Sequence, residues 1–147
     1  MPELEALGVT VVGCFGRAAA LDSLGEGAGL PLRVAPTELL LLGDERPLRE
    51  LEKRLTDLDP GGLALDLSSA HAIWSVRGDD RFEAFARLSA IPLPGPGGFA
   101  QGLVAHVPAK VVVRQDDLLL VVSSVVSHHL EMRLPAVCGD LSGAATR

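Results

Sequence analysis

Residues 66–93, DLSSAHAIWSVRGDDRFEAFARLSAIPL, lead into GFAQGLVAHVPAKVVV (98–113) and DDLLLVVSSVVSHHLEMRL (116–134), and the fold is decided here. Residues 70–76 are strand-like, with Gly78 as a breaker. Asp79 or Asp80 then caps a helix through Leu88, whose apolar face is Phe82, Phe85, Ala86 and Leu88. The segment PLPGPGGF (92–99) packs three prolines and three glycines into eight residues, which suits neither a helix nor a ladder, so it is an exposed connection. Strands are expected at 103–107 and 109–114 around Pro108, with a turn at Gln115-Asp116-Asp117. A buried strand follows at 118–122, and a last helix runs from Ser123-Ser124 to about Leu134. The tail PAVCGDLSGAATR is small, polar and turn-rich, and is expected to be loosely attached.

Working back towards the N-terminus, VTVVGCF (9–15) reads as a strand ended by Gly16. RAAALDSL (17–24) reads as a helix stopped by Gly25 and Gly27. Residues 32–34 and 38–42 form a hairpin about Ala35-Pro36-Thr37, and its ELLLL strand is apolar enough to be buried on both faces. Asp44 is positioned to cap the next helix, with Pro47 in its first turn. Leu48, Leu51, Leu55 and Leu58 recur there at helical spacing above a polar face. Residues 63–67 are strand-like.

The two halves carry the same order of signals. Gly16 matches Gly78, residues 39–42 match 118–121, and the helix from Asp44 matches the helix from Ser124. The offset grows from 62 to 79 residues because the Pro/Gly loop adds length. The reading is a duplicated β-α-β-β-α unit, giving an α+β fold of mixed or antiparallel sheets with covering helices. The length of 147 residues suits one domain over 1–134 followed by a flexible tail, 135–147.

Composition narrows the function classes. A net charge of −6 and a count of one tryptophan, four phenylalanines and no tyrosine provide neither a phosphate-binding surface nor a base-stacking platform, so nucleic acid is not an expected partner. The acidic MPELEALG start lacks a secretory n-region, and the run 118–122 is far short of a membrane span of roughly 20 residues. A soluble cytoplasmic protein is expected, with Cys14 and Cys138 as free thiols. A hydrophobic share of 48% is high for a chain of this size, which fits either apolar surface covered by another subunit, as a hetero-oligomer or a homodimer, or an Ala- and Leu-rich composition with no interface consequence.

No catalytic constellation emerges. His128-His129 are adjacent, hence about 100° apart on a helix, and cannot ligate one ion from one face. His71 and His106 could meet in space but lack Cys or carboxylate companions at ligand spacing. Asp66 and Ser68 share a strand face, yet are better explained as backbone-bonding turn residues. Asp79-Asp80 and Asp116-Asp117 read as a cap and a hairpin turn. The glycine-rich stretches 25–29 and 95–98 have neither phosphate-loop pattern. Trp74 is a core or interface anchor. No catalytic, cofactor-binding or metal residue is therefore assigned.

With these residues in place, the chain resembles the gamma subunit of heterotetrameric sarcosine oxidase, a relative of the folate-binding T-protein (aminomethyltransferase) of the glycine cleavage system. The resemblance covers roughly 32–134 and rests on LRVAPTELLLLG (32–43), DLSSAHAIWSVRG (66–78), GFAQGLVAHVPA (98–109) and the 116–134 block. It implies a fold like the T-protein folate-binding domain. It also implies a noncatalytic accessory role beside larger flavoprotein subunits, which would carry flavin, NAD and folate. The chain departs from gamma subunits in reading Val122-Ser123-Ser124 where a strand ending in Pro-Arg-Ser commonly leads into the last helix. Folate-dependent T-proteins carry an acid where this chain has His106-Val107-Pro108, so aminomethyl transfer does not carry over. The alternative is a stand-alone folate or small-molecule binder with a degenerate pocket.

Overall fold

The computed structural model describes residues 2–27 and 29–138. The strands and helices run β1 (Glu3–Leu7), β2 (Val11–Phe15), α1 (Ala18–Gly25), β3 (Leu30–Ala35), β4 (Glu38–Leu42), α2 (Leu48–Leu58), β5 (Leu63–Asp66), β6 (His71–Arg77), α3 (Arg81–Leu88), β7 (Phe99–Val104), β8 (Val107–Val113), β9 (Asp117–Ser123) and α4 (Ser127–Cys138). The described residues fall into two compact units: an inner one in chain order, within Val9–Ser69, and an outer one that flanks it in sequence, residues 2–8 with 70–138.

In the inner unit the sheet order is β3-β4-β2-β5, antiparallel throughout. Alternation puts Val12 and Cys14 of β2 beside Leu39 and Leu41 of β4 and Ala64 of β5. Leu21 and Leu24 of α1 and Leu51 and Leu55 of α2 close on the same face. Each leucine so buried contributes about 1.5–3 kcal/mol of transfer free energy. Leu40 and Leu42 on the other face of β4 are buried as well, as the ELLLL pattern implies. Leu58 is not part of the core and stands exposed at the last turn of α2. Asp44 does not cap α2. Pro47 occupies the N-cap position, and Asp44 accepts from the Arg46 backbone N–H at 2.9 Å and from its guanidinium, a local turn that outcompetes the cap.

The outer unit has the sheet order β1-β6-β9-β8-β7, again antiparallel throughout. Trp74 and Val76, Leu118, Leu120 and Val122, and Ala109, Val111 and Val113 share one face, covered by Phe85 and Leu88 of α3 and Leu130 and Leu134 of α4. Strand β6 ends at Gly78, whose φ of +114° is open to glycine alone. The buried face of α3 is Ala84, Phe85 and Leu88 rather than the expected set. Ala86 is exposed, and so is Phe82, which lies under the Arg81 guanidinium at 4.7 Å.

The chain does not turn at Pro108. It turns at Ala105 and His106, both with positive φ (50° and 71°), as a two-residue hairpin matched to strand twist requires. Pro108 then lies inside β8 opposite Leu103 of the edge strand β7. The β8–β9 ladder begins one residue later, at Ala109, so the missing N–H interrupts no central pairing. Helix α4 continues through Pro135 to Cys138, four residues past its expected end; the rest of the expected tail, 139–147, lies outside the described residues.

The duplication is thus real in topology. Strands β2, β3 and β4 with α1 and α2 correspond to β6, β8 and β9 with α3 and α4, and β7 is an addition at one edge. Each repeat needs one more strand beside its first. The inner unit takes β5, which follows it in sequence, and the outer unit takes β1, from the start of the chain.

Candidate functional site

The polar residues singled out in the sequence are mostly engaged in holding backbone. Asp66 accepts from the Ser68 N–H at 3.0 Å, and this bond holds its carboxyl below the usual range. Ser68 Oγ in turn accepts from the Val11 N–H at 2.9 Å. Asp80 is the N-cap residue of α3 but makes no side-chain capping bond. Asp59, at the C-cap of α2, is buried. It takes the N–H groups of Arg17 at 2.8 Å and Gly61 at 3.0 Å, tying the start of α1 to the end of α2. Cys14 is buried, and desolvation pushes its thiol up to about 11, so it is a poor nucleophile at neutral pH. The side chain of Cys138 lies outside the described residues.

The four histidines do not converge. His71 opens β6 opposite Ser123, while His106 sits in the β7–β8 turn, with β9 and β8 intervening at about 4.8 Å per strand spacing. His129 bonds the Ala105 carbonyl at 2.7 Å and fixes α4 to that turn, whereas His128 points to solvent beside Glu131 at 3.6 Å. Among the described residues no group of three His, Cys, Asp or Glu side chains is placed to hold a metal ion. The 95–98 stretch is pinned to β8, with the Gly97 N–H donating to Val113 at 2.7 Å and the Val113 N–H to Gly98 at 2.9 Å.

Asp117 is more than a turn residue. It is 3% exposed and opens β9, accepting from Arg114 Nε at 2.7 Å and Nη2 at 2.8 Å and from the fully buried Ser75 hydroxyl. The Arg114 fork holds its carboxyl below the ordinary range, helped by Ser75 and opposed by burial.

An apolar cleft of about 570 Å³ lies along β1. Its floor is Leu4, Trp74 and Leu134, one wall is Glu131 and Pro135 of α4, and Pro2, Glu3 and Glu5 edge it along the strand. Trp74 is anchored by its indole N–H, which donates to Ser127 Oγ at 3.0 Å, so it belongs to the core and also faces the cleft. Replacing Ser127 with alanine is expected to cost about 1 kcal/mol in urea unfolding, with far-UV circular dichroism unchanged. A second apolar strip lies on β5 of the inner unit, where Leu63 and Leu65 point the same way and are 52% and 41% exposed. Met132 of α4 (61%) and Val125 just ahead of that helix (88%) are exposed as well. Sequence reasoning left residues 3–7 unassigned and so missed the cleft. The alternation Glu3, Leu4, Glu5, Ala6 was the signal for a strand.

No protein-family model matches the chain, and no curated protein matches its sequence. Among solved structures, the fold is similar to that of a chain in the heterotetrameric sarcosine oxidase from Corynebacterium sp. U-96, solved in complex with pyrrole 2-carboxylate. The TM-score is 0.80 at 18% identity over 97% of this chain and 86% of that one, so the two are of similar length. The regulatory subunit of aspartate kinase from Thermus thermophilus is a more distant likeness, with TM-score 0.52 and 11% identity over 93% of this chain and 97% of that one. The α+β fold expected from the sequence is the fold observed. Among the described residues no helix is long and apolar enough to cross a membrane.

Proposed function

We propose that the chain is a noncatalytic accessory subunit of an amine-oxidising flavoenzyme complex of the sarcosine oxidase kind, acting in the cytoplasm and supporting assembly with larger subunits. The observation that carries this reading is the likeness over 97% of the chain to a similarly sized chain of a heterotetrameric enzyme. Two features support it. The polar groups that might have served chemistry bond backbone or one another, and apolar side chains on β5 and α4 stand in solvent where a larger partner could cover them. In this reading flavin, NAD and folate are bound by the larger subunits.

The alternative, a stand-alone folate or small-molecule binder, has the cleft in its favour, since 300–1,000 Å³ is the usual size range of such sites. Its charge is the wrong sign. Glu3, Glu5 and Glu131 would meet the carboxylates of a folate with like charge. Purification of the tagged chain from its own cells is expected to bring down a flavoprotein with visible flavin absorbance, while the chain alone oxidises no sarcosine. Recovery without flavoprotein would refute the reading, and heat on titration with tetrahydrofolate would favour the alternative.

A further inference from the structure

The cleft along β1 combines three features that point to one kind of occupant. First, β1 is an edge of its sheet, paired with β6 on one side and with no other described strand, so one row of its backbone N–H and C=O groups is open to a further strand. Second, the two faces of β1 differ in chemistry. Leu4 faces the helix side with Trp74 and Leu134, while Glu3 and Glu5 face the other way, where Glu5 also meets Arg77 at 3.4 Å. Third, the wall of the cleft carries Glu131, which sets a further carboxylate beside the apolar floor.

An added strand would lie beside both faces at once, with alternate side chains reaching each. Those on the helix side would meet Leu4, Trp74 and Leu134; those on the other side would meet carboxylates. A second copy of this chain fits poorly. Two-fold antiparallel pairing of β1 with itself keeps the faces matched, and in registers centred on Glu3, Leu4 or Glu5 it sets glutamate against glutamate.

We propose that the β1 edge and its cleft bind an extended segment of a larger partner chain, with apolar side chains alternating with basic ones, as a sixth strand on the five-stranded sheet. The apolar side chains fill the cleft over Trp74 and Leu134, and the basic ones pair with Glu3 and Glu5. This deepens the accessory-subunit reading and rests on it for which chain supplies the segment.

Trp74 is the only tryptophan and lines the cleft, so its emission reports occupancy directly. Titration of the full chain with a short peptide of alternating arginine and leucine is expected to shift that emission saturably. Binding should weaken about tenfold in the Glu3→Lys/Glu5→Lys variant and fall with added salt. Both glutamates are exposed, so the variant keeps the fold, checked by circular dichroism. No shift in the wild type, equal binding by the variant, or equal binding of a peptide with glutamate for arginine would each overturn the proposal. In co-purification, wild type that retains the flavoprotein while the double variant loses it supports the groove; retention by both refutes the groove and leaves the subunit reading standing. If the wild type retains none, the subunit reading fails, and the peptide titration decides the groove on its own.

Discussion

Replacing Leu120 with alanine is expected to destabilise the protein by about 3–4 kcal/mol, measured as a fall in the urea midpoint at unchanged slope. Leu120 is 1% exposed and lies at the centre of β9, the middle strand of the five-stranded sheet. Its neighbours across the ladders are Trp74 on β6 and Val111 on β8, and it shares a core with Leu130 and Leu134 of α4. Removing the side chain forfeits its transfer free energy, and strands held by ladders on both sides cannot close the hole. The cost therefore falls in the upper half of the range for such deletions. Leu120→Met, which keeps the volume, should cost less than about 1.5 kcal/mol. Equal losses for the two variants would show that volume at this position is not what matters.

How far the fold could be read from sequence depends on whether a feature is local. The Leu-rich runs of β4 and β9 announce strands buried on both faces because no polar residue interrupts them, and Gly78 marks a turn because the backbone there excludes a side chain. The β7–β8 turn was harder. Ala105 and His106 adopt positive φ without the Asn or Gly that usually signals it, whereas Pro108 looks like a breaker and sits harmlessly beside an edge strand. Asp44 was legible as a polar residue ahead of a helix, but its contest between capping α2 and pairing with Arg46 is settled by the Arg46 guanidinium, which also reaches the Leu24 carbonyl at 3.0 Å. The cleft was the least legible, because an edge is defined by what does not pair with it. Residues 3–7 show alternation, but that they complete a sheet begun at residue 71 follows only from tertiary structure.

The second large effect is expected at Asp117, where alanine should cost about 2–3 kcal/mol at neutral pH. The loss has two sources. The Ser75 hydroxyl, fully buried, is left without its acceptor, and the two charge-assisted bonds from Arg114 disappear. Arg114 is itself 46% exposed and can turn to water once its partner is gone, which keeps the cost below that of a stranded buried charge. The effect should also depend on pH. Because the folded-state pKa of Asp117 lies below its unfolded value of about 3.9, the unfolded chain binds more protons between the two values. The carboxylate's contribution is then complete above the unfolded value and is lost as pH falls through the folded one. Urea unfolding from pH 7 down to pH 3 should show the wild type and Asp117→Ala converging as the acid limit is approached. A gap that stayed constant over that range would mean that Asp117 acts through shape alone and that its charge does not stabilise the start of β9.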